Sequence, residues 1–235
     1  VKQLFPARQR ERNLSKEFEA AKPYLRRQIA APLWLRVGFW LCILISVAVV
    51  VRRVIVLEFP SPSGLRQTAE LDRLFASHSV LTLTHILPAL AFVGLTPFAV
   101  LLRFSGLDWP ERWLFPLGGI VGITAYLMSI YSVGGWVERS AVLFYNSLFL
   151  FSLGRAWFYN LRGQPVLKRQ WLLRAVGILL GIATTRPVMG VFFATASLTH
   201  LSPQQFFGIA FWIGFSINWV VVERWLLTRK EAVQA

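Results

Sequence analysis

The sequence has one cysteine, Cys42, three histidines and only 11 Asp plus Glu in 235 residues. A lone cysteine excludes an intramolecular disulfide. Histidines and carboxylates this scarce give poor material for a metal cluster held by protein ligands alone. Charge is also short: 15% of the residues carry one, where an ordinary soluble domain has about 25%. The chain lacks a nucleophile elbow, a phosphate-cradling glycine loop, a zinc-protease motif and a carboxylate pair. Hydrolytic and nucleotide-driven chemistry therefore have no residues to act through, and the reading leans away from an enzyme.

Apolar residues are what the chain has in quantity, 55% of it, with 19 Phe and 10 Trp. That composition excludes disorder, collagen and a single water-soluble domain. A helix needs about 20 mostly apolar residues to cross roughly 30 Å of hydrocarbon. Six stretches meet this: 32–51, 79–102, 114–133, 141–160, 172–197 and 204–226. The expected fold is all-α, a polytopic integral membrane protein with a six-transmembrane-helix bundle over residues 32–226. The connections 134–140, 161–171 and 198–203 are short enough to make spans three to six antiparallel neighbours. Ser202, Pro203 and Gln205 form a start signal for the sixth span: an N-cap, a first-turn proline and a capping-box partner. Gly118 with Gly122, and Gly177 with Gly181, give two small-xxx-small faces for close helix approach. Trp34, Trp113, Trp136, Trp157, Trp171 and Trp225 fall near span ends, as an interfacial belt would.

The formal net charge is +14, from 25 Lys plus Arg. With six spans, the termini share a side with the connections after spans two and four. That side carries 16 Lys and Arg, counting Arg224 with the tail; the opposite side has five, Arg52, Arg53, Arg66, Arg73 and Arg139. The positive-inside rule then places both termini in the cytoplasm and the protein in the cell's inner (cytoplasmic) membrane. The lipid bilayer is thus an expected partner. A nucleic acid is not, because basic residues spread over loops and an arm make no single basic face with stacking aromatics.

Residues 1–31 read as a polar cationic cytoplasmic arm, and their length ahead of an uninterrupted span does not suit a cleaved signal peptide. Leu14, Phe18, Ala21, Leu25 and Ile29 recur at helical spacing among Lys16, Lys22, Arg26 and Arg27, with Pro23 interrupting. Part of the arm is therefore expected to be an amphipathic helix suited to the anionic leaflet or to a partner protein. Pro60 to Gly64 should turn the chain into a short surface helix of Leu65, Leu71, Leu74 and Phe75. Residues 227–235 are a cytoplasmic tail.

Ionisable side chains inside spans are costly and are candidates for function. At about 1.5 Å per residue, His85 lies about 9 Å below the outer surface, and Arg186, Ser129 and Asn146 come to about the same level. Arg155, Tyr159, Asn160, Arg174 and Asn218 form an inner layer, in which snorkelling accounts for the two arginines. Arg186 has no acid in the central part of any span. Its acceptor is Glu138 of the 134–140 loop, a carbonyl freed by Pro187 or Pro88, or an anionic group from a lipid, cofactor or ligand. The functional expectation is a small outward-facing polar pocket of His85, Tyr126, Asn146 and Arg186; the structural one is a tie between helices through Glu138 and carbonyls. His78 is seven residues from His85 and His200 lies in the last outer loop. Neither can face His85 across a haem, so a bis-histidine site is disfavoured, whereas one-histidine ligation of haem or a pigment is not.

His85, the run from Glu111-Arg112-Trp113-Leu114 to Gly118-Gly119, Gly134-Gly135, Gly154-Arg155-Ala156, Lys168-Arg169-Gln170-Trp171-Leu172-Leu173-Arg174 and Thr185-Arg186 follow one another along the chain. In this order they resemble a family of bacterial membrane proteins called domain of unknown function 2306, from about Thr84 onward. The family pattern has further histidines where Glu111 and Lys168 stand here, while His85 and Arg186 match it. The resemblance implies a helical membrane fold and no particular activity.

Three functions suit these residues. The first is a non-catalytic subunit or assembly factor packed in a larger membrane complex, with other membrane-protein subunits as partners. The second is a redox-linked protein that binds haem, quinone or a pigment near His85 and Arg186: histidine ligates or hydrogen-bonds the ring, and arginine meets a propionate or carbonyl. The third is a small-molecule or lipid transporter, which helices interrupted at Pro88, Pro97 and Pro187 would suit.

Overall fold

A computed structural model describes residues 31–58, 75–100, 109–195, 198, 200 and 202–234, and among these there is no strand. The helices are α1 (Leu33–Glu58), α2 (Ser79–Val100), α3 (Trp109–Met128), α4 (Gly135–Leu161), α5 (Pro165–Leu179), α6 (Gly181–Ala194) and α7 (Pro203–Gln234). With α5 and α6 taken as one segment, Pro165–Ala194, six helices are long and apolar enough to cross a membrane. The chain is thus a helical protein of multi-pass type. The cationic arm up to residue 30, the Pro60 turn and all of the surface-helix pattern except Phe75 lie outside the described residues.

By compactness the chain divides after Phe39. The described part of the first unit, residues 31–39, holds the first turns of α1, with Leu33 and Trp34 exposed. The rest of α1 and all the other helices belong to the second unit, Trp40–Ala235.

The helices overrun the apolar windows. α1 continues through Arg52 and Arg53 to Glu58, α4 begins at Gly135 instead of 141, and α5 begins at Pro165 instead of 172. A helix need not stop where hydrocarbon does, because its backbone is satisfied internally and long cationic side chains reach outward. The sequence signal for the early start of α5 is Pro165 itself, whose missing N–H costs nothing at the first helical position. Between α4 and α5 only Arg162 to Gln164 remain. Gly163 adopts φ +63°, and the N–H groups of Gly163 and Gln164 donate to the carbonyls of Asn160 and Tyr159 at 3.2 and 3.0 Å. A side chain at this left-handed position would strain the turn. At the start of α7, Ser202 N–H donates to Gln205 Oε1 at 3.0 Å and Gln205 N–H to Ser202 Oγ at 3.4 Å, the reciprocal capping box expected from the sequence.

In the bundle, α3 packs between α2 and α4, α4 packs on α5 and α7, and α7 runs along both α5 and α6. Both glycine pairs sit at close helix crossings. A Cβ on Gly118 would stand 2.6 Å from the Leu153 side chain and one on Gly122 2.4 Å from Leu150, so α3 and α4 touch there. Gly177 and Gly181 receive Val222 and Phe215 of α7 in the same way. The fifth membrane segment is interrupted at Leu180, where α5 gives way to α6. α1 packs least: it buries only Ile43 and Ser46.

Candidate functional site

Sparse packing by α1 leaves a partly open cavity of about 260 Å³ between it and the helices α2 to α7. The lining is mostly aliphatic and aromatic, with Val93, Val121, Phe149, Ile182 and Phe211 among it. Its polar groups come from different elements: His85 from α2, Ser129 from the 3-10 turn Ser129–Tyr131, Glu138 and Asn146 from α4, and Arg186 from α6. The polar layer read from depth counting, His85, Ser129, Asn146 and Arg186, thus lies around a single cavity. Tyr126 does not line it. The Tyr126 hydroxyl instead meets Ser147 Oγ at 2.7 Å on an exposed face between α3 and α4.

Each polar wall residue has a distinct bonding state. His85 Nδ1 lies 2.9 Å from Thr124 Oγ1 on α3, and the Thr124 hydroxyl is itself 2.7 Å from the Ile120 carbonyl oxygen. Asn146 Nδ2 donates to the Gly122 carbonyl at 2.9 Å, which ties α4 to α3 at the glycine crossing and leaves Oδ1 as the free end of the amide. Glu138 belongs to the first turn of α4, not to a loop, and its Oε2 accepts the Gly134 N–H at 2.6 Å. A carboxylate at a helix N-terminus also meets the positive end of the helix dipole. Arg186 makes one weak contact, from a terminal nitrogen to Met189 Sδ at 3.8 Å, and its Nε is buried with no hydrogen-bond partner. Among the described residues no carboxylate forms an ion pair with it. Glu138 attracts the guanidinium electrostatically without a direct ion pair, so the tie expected between them is a long-range one.

Arg53, His78 and Tyr131 also line the cavity, though the pocket expected from the sequence does not include them. The Arg53 guanidinium lies over the Phe75 ring at 4.1 Å, and the His78 ring stacks on Tyr131 with centroids 3.9 Å apart. Arg53 follows the apolar run of its span and His78 precedes the next, so each reads as a boundary residue until the helices are assembled. Thr124 was hidden for another reason: a helical threonine satisfies its own hydroxyl on the preceding turn, so nothing in the sequence marks it as a partner.

At the other end of the bundle the polar residues have side-chain partners, although Arg155 Nε, like that of Arg186, is buried without one. Arg174 makes a two-pronged ion pair with Glu223, at 2.5 and 3.0 Å. Arg155 donates to the Tyr159 hydroxyl at 2.6 Å and lies within 5.7 Å of the Phe158, Tyr159 and Trp171 ring centroids. Glu111 and Lys168 are ion-paired to each other and join α3 to α5. No group of three or more His, Cys, Asp or Glu with metal-binding geometry occurs among the described residues.

Fold and cavity define a multi-pass helical protein with a mainly apolar, partly open chamber and a few polar wall groups. No protein-family model, curated protein or solved structure matches the chain.

Proposed function

We propose that this protein binds a ring-headed amphiphile inside its helical bundle, a quinone in the first place and a haem or pigment as other ring systems of that kind, in a redox-linked role. The observation that carries this reading is Arg186: a guanidinium on the wall of a cavity, with a buried Nε that has no acceptor. Leaving such a donor unmet is expensive in an apolar surrounding, and a ligand oxygen would satisfy it. The hydrocarbon-like remainder of the wall suits an alkyl or isoprenoid tail. In this reading the chain lies in the inner membrane with both termini in the cytoplasm, as the cation asymmetry of its loops supports. The test is an absorption spectrum of the purified protein together with chromatography of its solvent extract. A co-extracted quinone, or a haem or pigment band, that is lost in Arg186→Gln supports the proposal; a spectrum and extract indistinguishable from those of an empty membrane preparation overturn it.

A second reading, a non-catalytic subunit of a larger membrane complex, is favoured by α1. That helix buries two residues only and presents Trp40, Leu41, Leu44, Val51 and Ile55 outward. Purification in native membrane discs distinguishes it: stoichiometric partner subunits support it, and a lone chain contradicts it.

A further inference from the structure

The hydrogen bonding of His85 bears on which oxidation state of a ring head group the cavity takes. We infer that the cavity selects a head that donates a hydroxyl hydrogen to His85, and so takes the hydroquinol form of its amphiphile in preference to the carbonyl form. This rests on the cavity-ligand reading above.

Thr124 sets the direction of every bond around it. Its Oγ1 lies 2.7 Å from the Ile120 carbonyl oxygen, 3.1 Å from that of Val121 and 2.9 Å from His85 Nδ1. A hydroxyl has one hydrogen, and two oxygens at 2.7 Å repel unless that hydrogen lies between them. The hydrogen therefore points to the Ile120 carbonyl, and the threonine turns a lone pair toward His85. Nδ1 must then be the protonated nitrogen, donating to Oγ1. In the neutral ring the other nitrogen, Nε2, carries a lone pair and can only accept.

Besides Thr124 Oγ1 the ring meets the backbone of Val121, no side chain among the described residues bonds Nε2, and the ring lines the cavity. A ligand hydroxyl completes it. A carbonyl or ether oxygen placed there would set lone pair against lone pair. Arg186 imposes the converse demand, since a guanidinium has five donors and no acceptor. A ring whose substituents both donate and accept, as the hydroxyls of a hydroquinone do, answers both walls at once. An imidazole with Nδ1 bound and Nε2 bare is also the state that ligates metals, so a tetrapyrrole is the competing occupant.

The experiment compares a decyl-substituted benzoquinol, kept reduced under anaerobic conditions, with its dimethyl ether, using calorimetric titration of the full chain in phosphatidylcholine nanodiscs. One hydrogen bond of ordinary net strength predicts about tenfold tighter binding of the quinol, about 1.4 kcal/mol. In Thr124→Val the ring loses its fixed acceptor and either tautomer becomes available, so the preference should fall below about threefold. Nitrogen NMR of histidine-labelled wild type, with His85 assigned by its loss in His85→Gln, should show protonated Nδ1 and bare Nε2; this measurement needs no folded Thr124 variant. Equal affinity for quinol and ether, a protonated Nε2 in the wild type, or a haem or pigment band lost in His85→Gln overturns the inference. Equal binding leaves the cavity-ligand reading standing, whereas no binding of either probe, together with the absence of a haem or pigment band, removes both.

Discussion

Asn218 of α7 donates its side-chain amide to the carbonyl of Gly177, at 3.2 Å, in the last turns of α5. The same amide accepts from Thr184 of α6 through Oδ1 at 2.7 Å, so one side chain spans the interruption at Leu180. Helix ends leave carbonyls unpaired, and within a bilayer no water replaces the missing donor. Thr184 Oγ1 has given its hydrogen to Asn218, so at 3.8 Å from Cys42 Sγ it is placed to accept from the thiol of α1.

Asn218→Leu keeps the volume and removes both bonds. It should destabilise the bundle by about 1–3 kcal/mol, the cost of stranding a buried carbonyl and a half-buried hydroxyl. Denaturation of detergent-solubilised protein followed by tryptophan fluorescence measures this; an unchanged midpoint would show that the interruption needs no side-chain support.

Glycine crossings differ in what an added methyl would strike. At Gly214 a Cβ would stand 2.7 Å from the Thr185 backbone nitrogen and 2.9 Å from its Cα, and backbone atoms cannot step aside singly. Gly214→Ala should therefore cost about 1–3 kcal/mol through helix separation. At Gly119 nothing lies within 4 Å, and Gly119→Ala should be neutral or slightly stabilising, because alanine is the better helix former. Thermal aggregation of the two variants in the same detergent separates them, and equal midpoints would contradict the close approach of α6 and α7.

Glu111 and Lys168 should behave as a unit. Both are partly shielded, with side chains 20% and 19% exposed. Glu111→Lys sets two cations together and should lower stability by about 1 kcal/mol; adding Lys168→Glu should restore most of it. The reversal is well balanced, since each residue sits near a helix N-terminus and the dipole term lost at one end is gained at the other. A double-mutant cycle on unfolding midpoints gives the coupling, and strict additivity would show that the pair is held by its helices and contributes nothing.

The long apolar runs made the membrane segments legible, because spanning hydrocarbon requires length and composition that a sequence cannot conceal. Their ends were less legible. Helices such as α1 and α4 continue into charged residues at no backbone cost, and Glu138 consequently moved from an expected loop into a first turn. The interruption at Leu180 carried no local mark: the nearby proline, Pro187, sits seven residues further on, and the side chain that stabilises the break, Asn218, belongs to another helix. Depth counting put His85, Ser129, Asn146 and Arg186 in one layer, and all four line the same cavity. Tyr126, expected in the same pocket, turns its hydroxyl toward Ser147 instead, because facing depends on rotation, which an all-round apolar helix does not encode.

Arg186 supplies the prediction that divides binding from stability. In the ligand-free protein its Nε is buried and unmet, so the side chain should cost the fold free energy that ligand binding recovers. Arg186→Met fills similar volume without a donor. The variant should unfold at a higher midpoint than ligand-free wild type, by about 1–3 kcal/mol, while losing affinity for the quinol probe by about tenfold or more. A residue present only to tie helices together behaves oppositely, with stability and binding falling in step. The informative comparison is thus the sign of the stability change, measured on protein stripped of lipid and ligand by detergent exchange. A lower midpoint for Arg186→Met would return Arg186 to a structural role and remove the main support for a ligand in the cavity.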